Sequence, residues 1–167
     1  MLTVSSCAED TVRIVRSLPR LKCLDLSIYV DKWWSGEERV LTAAAVTDLR
    51  ELVMPVTAAS RDVLAQSRFP RVRRLTLMKS TCVASLSTFT LSFPRVLAHS
   101  LRHLTVYRND ALENVDCLKD CHQLQRLRLV YCLKLKVAGL SCLPRLRRLV
   151  SLDLEGCQYW GSDPALS

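Results

Sequence analysis

Apolar residues recur along this chain in one short frame, LxxLxL, at six places. The copies are Leu21, Leu24, Leu26; Leu49, Leu52, Met54; Val72, Leu75, Leu77; Leu101, Leu104, Val106; Leu124, Leu127, Leu129; and Leu149, Leu152, Leu154. Successive copies begin 28, 23, 29, 23 and 25 residues apart. The second and third apolar positions of each copy are two residues apart, the period of a strand, so each frame predicts a short strand that buries both. Between the frames, the segments Glu37–Val46, Ala58–Phe69, Ser85–Ala98, Ala111–Gln123 and Val137–Leu146 repeat their apolar residues three or four apart. Leu112, Val115, Leu118 and then Cys121 or His122 are one such series, and the spacing predicts helices. Pro19, Pro70, Pro94 and Pro144 each sit just ahead of the next strand, where they are expected to stop the helix.

A step of about 20–29 residues carrying this frame marks one class of repeat. From about residue 18 onward the chain resembles the leucine-rich repeat superfamily. The ninth position of the frame holds Tyr29, Thr57, Ser80, Asn109, Cys132 and Cys157, where the family places Asn or Cys to satisfy backbone groups in the turn. The last two repeats are most similar to the cysteine-containing subfamily, and the fifth also carries its Gly139-Leu140 pair. Tyr29 and Thr57 depart from the pattern, so less regular turns are expected there. The resemblance implies an α/β fold: a leucine-rich repeat solenoid, a right-handed horseshoe of about six strand–helix repeats with a concave parallel sheet. Residues 1–167 read as a single array, with a partial N-terminal repeat at 1–20 whose strand is absent and repeats starting near 21, 49, 72, 101, 124 and 149. The segment Val30–Glu38, with Trp33, Trp34 and Gly36, lengthens the first repeat and reads as a convex loop first, with a contact loop bearing two aromatics as the alternative. Neither end carries the polar cap a stack of repeats needs, so the chain is expected to belong to a longer array or to have its ends covered by partners.

The resemblance also implies where a ligand sits, since members of this family meet their partners on the concave sheet. The spacing shows which residues point outward. One column reads Cys23, Glu51, Arg74, His103, Arg126, Ser151; the next Asp25, Val53, Thr76, Thr105, Arg128, Asp153; the third Ser27, Pro55, Met78, Tyr107, Val130, Glu155. Repeats three to five therefore gather Arg74, Met78, His103, Tyr107, Arg126 and Arg128, while the repeats around them are neutral or acidic. Lys79, Arg108 and Tyr131 lie one step past the strands and extend this patch along its edge. Arginine with tyrosine is the composition of interface hot spots, and the guanidinium forks onto carboxylate or phosphate.

Charge agrees with that choice of partner: 24 basic and 16 acidic residues give +8, which favours something acidic. An acidic protein surface is the first candidate. The alternative is an assembly component of a ribonucleoprotein that contacts RNA phosphates, against which stands an aromatic content of 6%, low for a reader that stacks bases. The cysteine-containing subfamily implies a third role, the substrate-recognition part of a ubiquitin ligase. No phosphate-binding loop, nucleophile elbow or HExxH pair occurs, and His99, His103 and His122 do not converge, so no enzyme, cofactor or small-molecule substrate is expected. The eight cysteines form no CxxC pair, and Cys117, Cys121 and His122 lack a second pair at zinc spacing. They read as small buried hydrophobes, with no metal site. No apolar run approaches the roughly 20 residues of a membrane span, and no secretory leader is evident, so no membrane partner is expected. An intracellular location follows, cytoplasmic or nuclear, with a mitochondrial one left open.

Overall fold

The computed structural model describes residues 2–3, 17–18, 20–26, 48–56, 69–79 and 93–157. Within them the apolar frame forms strands β1 (Leu2–Thr3), β2 (Cys23–Asp25), β3 (Glu51–Val56), β4 (Arg74–Lys79), β5 (His103–Tyr107), β6 (Arg126–Val130) and β7 (Ser151–Asp153). They make one open sheet in chain order, every strand parallel to its neighbours. The register aligns the frames residue for residue: Leu24, Leu52, Leu75, Leu104, Leu127 and Leu152 are successive partners. Of these the first five are each 1% exposed. Burying a leucine that completely contributes about 1.5–3 kcal/mol, so one column alone holds much of the sheet's stability.

Two expectations about the N-terminal part and the connectors need correction. The partial repeat at 1–20 does have a strand, because Leu2 pairs with Leu24 and Thr3 with Asp25. Only Leu2 and Val4 of the frame fall within the sequence there, too little to stand out as a copy. The second correction concerns Ala111–Gln123 and Val137–Leu146, which form 3-10 turns at Asp116–Asp120, Val137–Leu140 and Leu143–Arg145 in place of α-helices. Their hydrogen bonds run to the third residue back: Leu118 N–H to Val115 O at 2.9 Å, Cys121 to Leu118 at 2.8 Å and Leu124 to Cys121 at 2.9 Å. A helix of three residues per turn puts every third side chain on one side. Leu112, Val115, Leu118, Cys121 and Leu124 take that side and are fully buried, whereas His122 is exposed.

The described α-helix, α1 (Arg95–Ser100), covers the end of the expected segment Ser85–Ala98. Pro94 stands at its N-terminal cap and not at its end, contrary to expectation. Proline suits the start of a helix because the N–H it lacks has no partner there anyway. Pro144 likewise lies in the first turn of a 3-10 segment, while Pro70 sits in the turn before β4. The segment Glu37–Val46, the Trp33–Trp34 loop and residues 58–68 lie outside the described residues, as do Tyr29, Thr57 and Ser80 of the ninth column.

Neighbouring strands are tied together just before each one begins. The carbonyl of Arg50 accepts the N–H groups of both Arg73 and Arg74, that of Arg73 accepts Arg102 and His103, and that of Arg102 accepts Gln125 and Arg126, all at 2.8–3.0 Å. Lys22 and Gln125 carbonyls do the same at β3 and β7. On the opposite side of the core the 3-10 connectors touch closely at Gly139, whose carbonyl accepts the Val115 N–H at 2.9 Å. A Cβ on Gly139 would stand 2.2 Å from the Glu113 carbonyl oxygen.

The cysteines fill this core. Cys121, Cys132, Cys142 and Cys157 are buried, and burial pushes the Cys121 and Cys132 thiols up to about 12 and raises Cys117 and Cys142 as well. An unfolded thiol ionises near 8.5. Above that pH the unfolded chain therefore releases protons that the folded chain retains, and stability falls as pH rises toward the folded values near 12. Below about 8.5 the contribution is complete. Guanidinium midpoints measured at pH 8 and pH 10 are expected to drop markedly; equal midpoints would show that these thiols are not held in the core.

Candidate binding surface

The register builds the outward columns from neighbouring strands. Cys23, Glu51, Arg74, His103, Arg126 and Ser151 are successive partners, and Asp25, Val53, Thr76, Thr105, Arg128 and Asp153 form the next row. Met78 partners Tyr107 in the third row, between the buried Pro55 and Val130. Arg74, His103 and Arg126 thus stand side by side at strand spacing, about 4.8 Å per step.

Their charges are distributed less simply than the columns suggest. Arg74 pairs with Glu51 on the preceding strand at 2.9 Å. Arg128 is clasped by Asp153 at 2.7 Å and Glu155 at 2.9 Å, and those bonds raise its pKa. Lys79 is paired with Asp110. Exposed pairs of this kind add little stability, yet each puts a carboxylate where an acidic ligand would lie. Burial, then Arg74 and then Arg126, lower the pKa of His103, which disfavours its charged form. Of the residues expected to form the basic patch, Arg126 and Arg108 have no ion pair among the described residues.

Arg108 belongs to a second grouping, at the strand ends. Arg108, Tyr131 and Gly156 come one residue after Tyr107, Val130 and Glu155, and all three adopt a left-handed backbone, with φ of 52°, 54° and 67°. The Arg108 N–H donates to Val130 O at 2.7 Å and that of Tyr131 to Glu155 O at 2.8 Å, which keeps the turns in register. The ninth-column residues come next and point inward. Cys157 donates to Leu129 O at 3.3 Å, Cys132 lies 3.9 Å from Val106 O, and Asn109 accepts the Ala111 N–H at 3.0 Å. These turns bring Tyr107 and Tyr131 edge to face, with ring centroids 6.2 Å apart. The Arg108 guanidinium lies 5.4 Å from one ring and 5.6 Å from the other. Tyr131 spreads over Gly156, where a Cβ would come within 2.3 Å of its ring. The result is an exposed cation held by two tyrosines.

Sequence reasoning passed over one row. Lys22, Arg50, Arg73 and Arg102 occupy the first x of LxxLxL in successive frames, followed by Gln125 and Val150. Their carbonyls form the ladder described above, and Lys22, Arg50 and Arg73 are exposed, with Arg102 half-buried. The signal in the sequence is four basic residues in one column of aligned frames, one position ahead of the first of the three outward columns.

Other chemistry is spread apart. Cys23 and His103 share a row but are three strands apart, about 14 Å, too far to exchange a proton. The Cys23 thiol is further raised by burial and by Glu51. Among the described residues no three His, Cys, Asp or Glu side chains are placed to hold a metal, and no helix is long and apolar enough to cross a membrane. No model of a known protein family matches the chain, nor does any curated protein.

Proposed function

We propose that this chain is a leucine-rich repeat solenoid that works as a non-catalytic scaffold, binding an acidic protein surface on the outward face of β5 and β6. The regular step of the frames and the parallel sheet in chain order support the solenoid reading. The observation that carries the binding reading is the exposed cation between two tyrosine rings: Arg108 against the half-buried Tyr107 and the exposed Tyr131. Tyrosines immobilise little side-chain freedom on binding, and a guanidinium already oriented by stacking offers its donors to a carboxylate without further ordering. Arg126, without a counter-ion among the described residues, supplies a second charge on β6. Arg74 and Arg128 play a different part: with Glu51, Asp153 and Glu155 they form a mixed border that repels a uniformly acidic ligand and admits one carrying its own cations there.

Quantitative affinity capture tests this reading, with the full chain and an Arg108→Glu, Arg126→Glu double variant as baits. A specific acidic partner is expected to fall about tenfold or more on the double variant, a loss of about 1.4 kcal/mol or more. An Arg50→Glu bait should retain it. Equal recovery by the native and double-variant baits would reject this face as the interface.

A further inference from the structure

Beside the outward face, on the side from which the strands begin, the basic row opens into a cavity of about 460 Å³. Arg50, Arg73 and Arg102, each just ahead of one of three successive strands, line it, with Arg71, His99 and Ser100 closing it from the turn before β4 and from α1. Among the described residues that line it there is no carboxylate and no Phe, Tyr or Trp, and the one ring is the His99 imidazole. Arg71 is already paired with Asp48, but Arg50, Arg73 and Arg102 have no ion pair among the described residues. Two local bonds fix the wall formed by α1. The Ser100 hydroxyl lies 2.7 Å from Val72 O, and His99 directs Nδ1 at Arg95 O at 2.5 Å, which leaves only Nε2 for another partner.

The geometry points to a binding site for a chain of phosphoryl groups in this cavity, distinct from the tyrosine–arginine surface. The carbonyl ladder holds the backbones of three arginines in a row, their like charges repel one another, and a multivalent anion relieves that repulsion. The row spans two strand steps, about 10 Å, longer than a single oxyanion needs. An acidic peptide fits it poorly: same-face side chains of an extended strand repeat at about 6.6 Å, out of step with arginines at about 4.8 Å. Phosphates carry more charge at closer spacing and take the arginine fork in two parallel hydrogen bonds. With no Phe, Tyr or Trp among the described lining residues, and the His99 ring tied through Nδ1 to Arg95 O, the site favours phosphate over nucleobase.

Calorimetric titration of the full chain with sodium tripolyphosphate, against inorganic phosphate at matched ionic strength, tests the assignment. Tripolyphosphate is expected to bind at least about tenfold more tightly than phosphate, and an Arg73→Gln, Arg102→Gln double variant to weaken it by about tenfold or more. Arg50→Gln, made separately, should weaken it too, which keeps the test open if the double variant fails to fold. Arg128→Gln, on the outward face, should leave it unchanged. Native-like binding by both the double variant and Arg50→Gln overturns the proposal, and so does an equal loss with Arg128→Gln, which would mean general charge attraction. A short uridine oligonucleotide distinguishes the sources of the same chemistry. Salt-sensitive binding that the same variants abolish assigns the phosphates to an RNA backbone. Tripolyphosphate binding without oligonucleotide binding assigns them to a small phosphorylated molecule. Because Arg108 and Arg126 take no part, failure here leaves the protein-binding reading untouched.

Discussion

Gly139→Ala lowers the unfolding free energy by about 3 kcal/mol, the upper part of the usual range for overpacking a close contact. The added methyl meets the Glu113 carbonyl oxygen at 2.2 Å and the Asn114 Cα at 2.9 Å, and both are backbone atoms that no rotamer change can move. Separating the connectors also stretches the Val115 N–H bond to Gly139 O. A contrast sharpens the expectation. Gly156→Ala meets only the Tyr131 ring, which can swing aside, and its main cost is the left-handed φ of 67°, about 1–2 kcal/mol. Urea unfolding of the two variants should therefore rank Gly139→Ala well below Gly156→Ala. An unchanged midpoint for Gly139→Ala would mean that the connectors are not packed backbone to backbone.

The second large effect follows from one column of leucines. Leu104→Ala and Leu127→Ala should each cost about 3 kcal/mol, within the range for a fully enclosed leucine whose cavity cannot collapse. Leu152, the register partner of Leu127, is 46% exposed on the last described strand, and its truncation should cost less than about 1 kcal/mol. Chemistry and place in the frame are the same in all three, so the difference isolates the presence of a further layer. Equal losses at 104, 127 and 152, read from guanidinium denaturation, would contradict the burial described for the end of the sheet.

Much of this sheet was legible in the sequence, because period-2 alternation inside a recurring frame leaves one register: shifting any strand by one residue would expose its buried leucines. The first two columns consequently match the register row by row, whereas Pro55 and Val130 of the third, expected to point outward, are buried. The connectors were misjudged by a small difference in period. Leu112, Val115, Leu118, Cys121 and Leu124 repeat every third residue, the signature of a 3-10 path, but a series allowed to step by three or four reads as an α-helix. At the candidate surface, Glu51, Asp153 and Glu155 were visible as acidic neighbours. Spacing says which residues share a face and not which long side chains bend toward each other, so the neutralisation of Arg74 and Arg128 could not be read from it. Nor do Arg108 and Tyr131 announce a left-handed turn, since neither is the glycine or asparagine that usually marks one. Only Gly156, in the same place one repeat on, does so by its residue type.

The ladder of carbonyls, each holding the next strand by two N–H groups, has a mechanical meaning. Among the described residues every strand is bonded only to those before and after it in the chain, and no described element clasps distant parts of the sheet together. Tension between the two ends of the sheet passes from one strand pair to the next, and the outermost pair parts first. Each rupture releases one strand and its connector while the remaining strands keep their alignment. Under load such a molecule lengthens in increments, like a ratchet strap paying out one notch at a time.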